Sequence, residues 1–208
     1  MANPLYKCYM TIRSMMRDRK YLVDDEILDE NTFIQTYQDL ELQFQKRNSD
    51  KKIHVFFVES TKKDTNLGKK DITDKFIPKM KKEGMDHMIL ILHGIKITSS
   101  AKSEIAKHKQ TYLIEYFDSA ELVVNITEHK KVPKHIPLSE QEKQKILRKY
   151  GDEDQMPKIG DHDRVAKYLG LQVGDMVEII RISEAKGIHK YYRICVTGIP
   201  QPEYTLQV

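Results

Sequence analysis

The N-terminal part of the chain places apolar residues at the spacing of an α-helix. Asn3 can cap a helix that has Pro4 at its first position, where the missing N–H costs nothing. The apolar stripe of this helix consists of Leu5, Cys8, Tyr9, Ile12, Met15 and Met16. A second helix is predicted after Asn31, with a stripe formed by Phe33, Ile34, Tyr37, Leu40 and Phe44. We interpret both stripes as faces that pack into a core.

The pattern then changes to short apolar runs. Residues 53–58 are apolar and rich in β-branched or aromatic side chains and are predicted to be a buried strand. Residues 88–92 are predicted to be a second buried strand, and residues 122–127 a further strand. The pattern of residues 111–117 is ambiguous. Short strands that recur along the chain indicate a sheet in this region.

Helices are predicted between these strands. The first spans residues 71–83, although Pro78 should shorten or kink it. Its inward face holds Ile72, Phe76 and Met80. Ser99 or Ser100 can cap a second, short helix that ends near His108. Strands separated by helices indicate an α/β domain with a mixed sheet.

A second unit is predicted beyond a boundary near residues 130–138, where two prolines interrupt the chain. Ser139 and Glu142 form a capping box that opens one short helix. Asp161 or Asp163 can cap a second short helix. A β-hairpin is predicted after it, with strands at residues 176–182 and 190–196. The fold class predicted for the whole chain is therefore α+β.

Composition excludes several classes of protein. No apolar run in the 208 residues approaches the roughly 20 that a membrane helix needs. The first residues lack the pattern of a secretory signal. Cys8 and Cys195 are the only cysteines, which favours a reducing compartment and argues against a structural zinc site. We therefore expect an intracellular protein with no cofactor and no membrane partner.

Charge is distributed unevenly along the chain. The net charge is only +4, but every charged residue from Asp24 to Glu41 is acidic, and those from Lys46 to Lys82 are mostly basic. Such asymmetry is typical of a face near phosphate groups. A lysine-rich solvated surface is the alternative.

An ordered set of short motifs carries a family resemblance. Residues 156–170 read MPKIGDHDRVAKYLG, and they are followed by Ile179-Ile180-Arg181, Ser183-Glu184 and Tyr192-Arg193. This set resembles the signature of the family formed by the fifth common subunit of eukaryotic RNA polymerases and its archaeal counterpart. Residues 18–23, DRKYLV, are similar to the Asp-Arg-Gly-Tyr-Leu-Val motif of the eukaryotic form. The resemblance covers residues 10–196.

The chain departs from the family pattern at a few positions. Met156 stands for Leu, which preserves packing, and Arg164 replaces a proline at a predicted helix start. Residues 98–101 read Thr-Ser-Ser-Ala where the eukaryotic family has Thr-Pro-Ser-Ala. This last change puts the DNA role of the loop in question, because the family places that loop near downstream DNA.

The resemblance implies a non-catalytic subunit of a multisubunit DNA-directed RNA polymerase. Residues 1–132 would form a jaw domain with an inactive, restriction-nuclease-like fold. Residues 133–196 would form the assembly domain, similar to the archaeal counterpart and anchored to the largest polymerase subunit, and residues 197–208 an extra flexible tail. No active site and no small-molecule substrate are implied.

Two sets of site residues follow from this resemblance. Hydroxyls, backbone N–H groups and lysines at a helix start can meet the phosphates of downstream duplex DNA. The residues expected there are Lys96, Thr98, Ser99, Ser100 and Lys102. The residues expected at the subunit interface, where aromatic rings and guanidinium groups dominate the energetics, are Tyr168, Arg181, Tyr192 and Arg193. The alternatives are a capped helix with solvated lysines, core packing of the tyrosines and a solvated strand face for the arginines.

Two other functions are alternatives to a polymerase subunit. A metal-dependent nuclease would need an Asp and a Glu-x-Lys triplet, for which the best candidates are Asp118 and Glu128-His129-Lys130, with Glu184-Ala185-Lys186 weaker. A free-standing DNA-binding or regulator-recruiting module would bind duplex DNA unaided, with a steep salt dependence. A net charge of +4 spread over the whole chain predicts only weak binding of that kind.

The resemblance is compatible with two origins. A cellular gene would place the protein in the nucleus. A large DNA virus with its own polymerase would place it in virions and cytoplasmic factories. The Thr-Ser-Ser-Ala loop and the extra tail do not decide between them.

Overall fold

A computed structural model describes most of the chain, in two units. The described residues are 3–47, 49–60, 65–183 and 187–198. The first unit ends at Val124 and the second begins at Asn125, which lies N-terminal to the boundary expected near the prolines. Both units combine helices with a mixed sheet, which confirms the predicted α+β class. No helix in the described ranges is long and apolar enough to cross a membrane.

The first helix follows its prediction closely. Helix α1 spans Pro4–Asp18, and the side chain of Asn3 accepts a hydrogen bond from the Leu5 N–H at 2.9 Å. All six residues of the predicted apolar stripe are buried. Burial of a single continuous stripe is what ties a helix to its core.

The second helix is shorter than predicted, and a strand follows it. Helix α2 spans Glu30–Thr36 and is capped by Asp29, while strand β1 spans Glu41–Gln45. The prediction that Phe44 shares a helical stripe with Phe33 is therefore wrong. The reason is that the apolar positions between the two elements fit helical spacing and strand alternation equally well.

The sheet of the first unit has the order β1-β2-β4-β6. Strands β2 (Lys52–Glu59) and β4 (His87–His93) confirm two of the predicted strands, and β6 (Leu113–Asp118) resolves the ambiguous segment as a strand. Strand β1 is antiparallel to β2, while β2, β4 and β6 run parallel. Residues 88–92 of β4 are at most 3% exposed, so the centre of this sheet is the core of the unit.

The predicted helix at 71–83 forms in two parts. A π-helix covers Asp71–Phe76 and helix α3 covers Ile77–Glu83. The Ile77 N–H bonds to the Ile72 carbonyl, one residue beyond the α-helical partner, and this widened turn accommodates Pro78 in the first turn of α3. The three predicted inward residues are all buried.

The strand predicted at residues 122–127 is wrong. Two 3₁₀ turns occupy this region, at Ser119–Leu122 and Ile126–Glu128. The Asn125 side chain accepts the Thr127 N–H at 3.0 Å, and such local side-chain bonds compete with a strand ladder. Val124 is 65% exposed, which a buried strand would not allow.

The second unit contains a four-stranded mixed sheet with the order β7-β9-β10-β8. Its strands are β7 (Lys134–Pro137), β8 (Lys158–Gly160), β9 (Met176–Ser183) and β10 (Gly187–Val196). Strands β9 and β10 are the predicted hairpin, whereas the two short flanking strands were not predicted. The sheet therefore extends the predicted hairpin on both sides.

The helices of the second unit begin where their caps were predicted. Helix α5 (Glu140–Tyr150) starts with the Ser139–Glu142 capping box. Helix α6 (Arg164–Leu169) is capped by Asp163, which resolves the choice between two aspartates, and ends at Gly170 with φ of 69°. Arg164 thus occupies a normal first helical position without the proline of the family pattern.

Candidate nucleic-acid and subunit interfaces

A parallel pair of two-residue strands positions the loop expected near DNA. Strand β3 (Asn66–Leu67) pairs with β5 (Lys96–Ile97), with Leu67 opposite Ile97. The Thr98 N–H donates to the Leu67 carbonyl at 3.0 Å, so the pairing continues into the loop. Helix α4 (Ser99–His108) starts directly after this contact.

Thr98, rather than Ser99 or Ser100, is the cap of α4. Its hydroxyl donates to the Leu67 carbonyl at 3.2 Å and accepts the Ala101 N–H at 3.2 Å. Since that hydroxyl has only one proton, the Ser100 hydroxyl, 3.0 Å away, must be the donor between these two side chains. The sequence prediction of a Ser cap is therefore wrong by one residue, and the hydroxyl of Thr98 is occupied in holding the loop.

The other expected DNA-proximal side chains are on the surface. Lys96, Ser99, Ser100 and Lys102 are all exposed. The backbone N–H groups of Ser99 and Ser100 have no acceptor within the described part of the chain, as is usual in the first turn of a helix. The loop thus combines two amides, two hydroxyls and two lysines on one short segment.

A buried carboxylate on α4 organises further cations. Glu104 is 8% exposed and lies 3.2 Å from Lys107, 3.5 Å from Lys69 and 3.4 Å from His108. The hydrogen bond from Lys107 is the main reason that the pKa of Glu104 lies below its ordinary value. The negative charge of this helix is therefore neutralised, and the exposed surface beside it remains basic.

The expected interface arginines lie on one face of the hairpin. In the β9–β10 register Arg181 pairs with His189, and its guanidinium lies 5.4 Å from the ring centroid of Tyr191. Desolvation lowers the pKa of His135 on β7, the bond with the Pro133 carbonyl and the charge of Asp163 oppose this, and the charges of Arg193 and Arg181 lower it further. Both guanidinium groups therefore lie near His135, as does the carboxylate of Asp163.

The two expected interface tyrosines differ in position. The Tyr192 hydroxyl donates to Glu178 at 3.1 Å, and its ring lies 5.9 Å from that of Tyr150. Tyr168 is only 2% exposed, because α6 turns it into the interior of its own unit. Tyr192 can still be reached from the surface, while Tyr168 packs within the chain.

Sequence reasoning missed a group of exposed apolar residues on the hairpin. Ile182 and Ile188 are a directly opposed pair and are 82% and 68% exposed, and Tyr191 is 50% exposed. Isoleucine and tyrosine are ordinary strand residues, so the alternation of apolar and polar positions did not indicate that these side chains are exposed. Their exposure is evident only from the structure, in which the end of the hairpin extends beyond the flanking strands β7 and β8.

The candidate nuclease residues are engaged locally. Asp118 accepts the Ala120 N–H at 2.9 Å, and Glu128 accepts the Asn125 amide at 2.9 Å. Residues 184–186 lie outside the described residues. Within the described ranges, no three His, Cys, Asp or Glu side chains are close enough together to hold a metal ion.

Comparisons with known proteins agree with these features. Residues 124–195 match the family model described as RNA polymerase Rpb5, C-terminal domain. The chain is 36% identical over 207 residues to DNA-directed RNA polymerases I, II, and III subunit RPABC1 of Caenorhabditis briggsae, covering 92% of this chain and 95% of that protein. The protein of the same name from Dictyostelium discoideum is 34% identical over 199 residues, covering 93% and 98%. DNA-directed RNA polymerase subunit 5-like protein 1 of Arabidopsis thaliana is 32% identical over 206 residues, covering 92% and 95%.

Because this similarity extends over 92% or more of the chain, the protein is an accessory subunit of a multisubunit DNA-directed RNA polymerase. More specifically, the chain belongs to the RNA polymerase Rpb5 family. The resemblance identified in the sequence is thereby confirmed. Other polymerase subunits are its partners, and its role in transcription is non-catalytic.

Proposed function

We propose that the C-terminal unit attaches this chain to the largest subunit of the polymerase. The observation that carries the proposal is the cationic face of the hairpin, where Arg181 contacts the ring of Tyr191 and Arg193 lies two residues further along β10. Guanidinium groups beside exposed aromatic rings are the side chains that contribute most to protein interfaces. Tyr192, half-buried on the other face, is the further contact residue of this proposal.

The N-terminal unit is proposed to be a jaw near downstream DNA during transcription. Two kinds of group support this role. They are the exposed side chains of Lys96 and Lys102, and the first backbone amides and hydroxyls of α4. Groups of this kind bind phosphate oxygens and carry no sequence information. The loop would therefore position duplex DNA without selecting its sequence.

The proposed role includes no chemical step, no small-molecule substrate and no cofactor. The local hydrogen bonds of Asp118 and Glu128 support this, because both carboxylates already serve backbone or side-chain donors. The protein would be found where its polymerase acts. That is the nucleus for a cellular gene, and the virion and cytoplasmic factory for a large DNA virus.

Purification from the native source tests the attachment. A chain tagged at its N-terminus should recover the two largest polymerase subunits at moderate salt, as identified by mass spectrometry. Arg181→Ala combined with Arg193→Ala should reduce that recovery. Arg148→Ala, which removes an exposed arginine from α5 in the same unit, should leave it unchanged.

A chain that purifies without polymerase subunits would contradict the proposal. If such a chain also bound duplex DNA at physiological salt, the free-standing DNA-binding module would become the better explanation.

A further inference from the structure

The hairpin of the C-terminal unit has an open edge. Strand β10 pairs with β9 along most of its length, from Gly187 to Ile194. On its other side, β10 pairs with β8 only from Ile194 to Val196. Within the described part of the chain, no strand pairs with residues 187–193 on that side.

Two hydrogen bonds show which residues of β10 point their backbone N–H and carbonyl groups towards the open edge. The Cys195 N–H donates towards β9, to the Asp175 carbonyl at 2.8 Å, and the Ile194 N–H donates towards β8, to the Pro157 carbonyl at 2.9 Å. Because backbone groups alternate in direction along an antiparallel strand, those of Ile188, Lys190 and Tyr192 also face the β8 side. Each of these residues offers one N–H and one carbonyl at the open edge.

The side chains beside this edge do not protect it. Proteins usually cover or charge an exposed edge strand to prevent pairing with other chains. Here Ile188 and its partner Ile182 are exposed on one face, and Tyr191 is exposed on the other. The ammonium group of Lys190, the charge best placed to guard the edge, is already paired with Glu178 at 3.1 Å. The edge is therefore suited to pairing with another strand.

The charges of the hairpin indicate what kind of strand it would accept. Arg181 and Arg193 form no ion pair with any described residue, and both lie on the face of Tyr191. The only described carboxylate of β9 and β10, Glu178, is shared between Lys190 and Tyr192. An acidic, extended segment would complement this surface, whereas a second copy of this hairpin would place like charges opposite one another.

We propose that an extended acidic segment of another polymerase subunit adds as a strand to β10 along residues 188–192. Main-chain hydrogen bonds to Ile188, Lys190 and Tyr192 would provide affinity, and apolar contacts with Ile188 and Tyr191 would fix the register. The inference rests on the proposed attachment of the C-terminal unit to the polymerase. It adds the mode of that attachment and the chemistry of the partner.

Amide hydrogen exchange at single-residue resolution provides the first test, with the free protein compared with the protein in assembled polymerase. The amides of His189 and Tyr191 face β9 and should be protected in both samples. Those of Ile188, Lys190 and Tyr192 should exchange readily in the free protein and be protected at least about tenfold on assembly. Docking through side chains alone would not produce this alternation.

Proline substitution provides the second test. Lys190→Pro removes an N–H that faces the open edge, and proline is tolerated at such positions of edge strands. We expect it to reduce incorporation into polymerase by about tenfold, the effect of losing roughly one backbone hydrogen bond and its close packing. Lys190→Ala keeps the N–H but removes the side chain and its ion pair with Glu178, and it should reduce incorporation less than Lys190→Pro does. The melting temperature of each free variant establishes that the hairpin remains folded.

Different results overturn different statements. If the protein incorporates but the three edge amides exchange equally fast in both samples, strand addition is wrong while the attachment stands. If the wild-type protein does not incorporate at all, the proposed attachment itself is wrong. Protection of the edge amides in the free protein that rises with its concentration would assign the edge to a second copy and overturn the acidic partner.

Discussion

Arg19 and Glu115 form a two-point ion pair within the N-terminal unit. The Nη1 and Nη2 groups of Arg19 each donate to one carboxylate oxygen at 2.8 Å, which ties the end of α1 to β6. The Nε2 atom of His87 lies 2.6 Å from the same carboxylate. Burial alone would raise the pKa of Glu115, but the charge of Arg19 and the hydrogen bond with His87 lower it far below its ordinary value.

We predict that Glu115→Gln lowers the free energy of unfolding by about 3 kcal/mol at neutral pH, because it leaves the buried guanidinium without its counter-charge. A lowered carboxylate pKa stabilises the fold above the ordinary pKa of 4.5, and this contribution is lost as the pH falls towards the lowered value. The wild type should therefore lose stability below pH 4.5 more steeply than the variant. Calorimetric unfolding from neutral to acidic pH measures both effects.

The matched control is Glu83→Gln, which removes an exposed carboxylate from α3 in the same unit. It should change stability by less than about 0.5 kcal/mol. Equal effects of the two substitutions would show that the Arg19–Glu115 pair has no special energetic role.

Lys20 adopts a left-handed backbone conformation, with φ of 66°, and the related eukaryotic motif has glycine at this position. Left-handed backbone costs a residue with a Cβ ~1–2 kcal/mol, partly offset by the greater freedom of glycine in the unfolded chain. We predict that Lys20→Gly raises the free energy of unfolding by ~0.5–1 kcal/mol. Thermal unfolding of the purified chain measures the change.

Lys20→Ala separates backbone strain from the loss of the lysine side chain. Alanine keeps the Cβ and should leave stability close to that of the wild type. A gain with alanine equal to that with glycine would attribute the effect to the side chain instead.

The sequence predicted those elements whose local signals agree with each other. Helix α5 has a capping box at its start and a glycine directly after its last residue, and its bounds follow from these two signals. Strand β1 was missed because Leu40 and Phe44 satisfy helical and strand spacing at once. The strand predicted at residues 122–127 failed because a side-chain bond from Asn125 competes with strand pairing.

The features of the candidate sites also differ in whether the sequence alone could indicate them. Residue type was enough to suggest Arg181 and Arg193 as interface residues, because a guanidinium group suits a protein interface wherever its strand lies in the sheet. The burial of Tyr168 depends on how α6 packs within its unit. The open edge of β10 depends on how far each strand extends beyond its neighbours. Strand ends of that kind are set by tertiary pairing, for which a single sequence carries little signal.

Ser99 is the first residue of α4, where the related motif has proline. Its N–H has no role in the helix, and the preceding Thr98 has φ of −75° and ψ of 156°, a conformation that a following proline favours. We therefore predict that Ser99→Pro maintains or raises the free energy of unfolding, by up to ~1 kcal/mol. Thermal unfolding measures the change, and Lys102→Pro, inside the helix where the N–H bonds to the Thr98 carbonyl, should destabilise the chain as the contrasting variant.

The same basic loop leads to a prediction about DNA. Lys96 and Lys102 are exposed beside the start of α4, and each phosphate that a lysine neutralises contributes about −0.9 to the slope of log affinity against log salt concentration. In assembled polymerase, Lys96→Ala with Lys102→Ala should therefore make this slope shallower by about 2 for downstream duplex DNA. Binding titrations over a range of salt concentrations measure the slope, and recovery of the other subunits verifies assembly.

Lys81→Ala with Lys82→Ala provides the matched control for charge. These exposed lysines end the helical segment that begins beside β3 at Lys69, so they lie roughly 18 Å further along its axis. Their removal should leave the salt slope unchanged, because contact with phosphate, rather than net charge, determines counterion release. Equal changes in slope for the two double variants would mean that the start of α4 has no particular proximity to DNA, and the proposed role of Ser99 and Ser100 would fail with it.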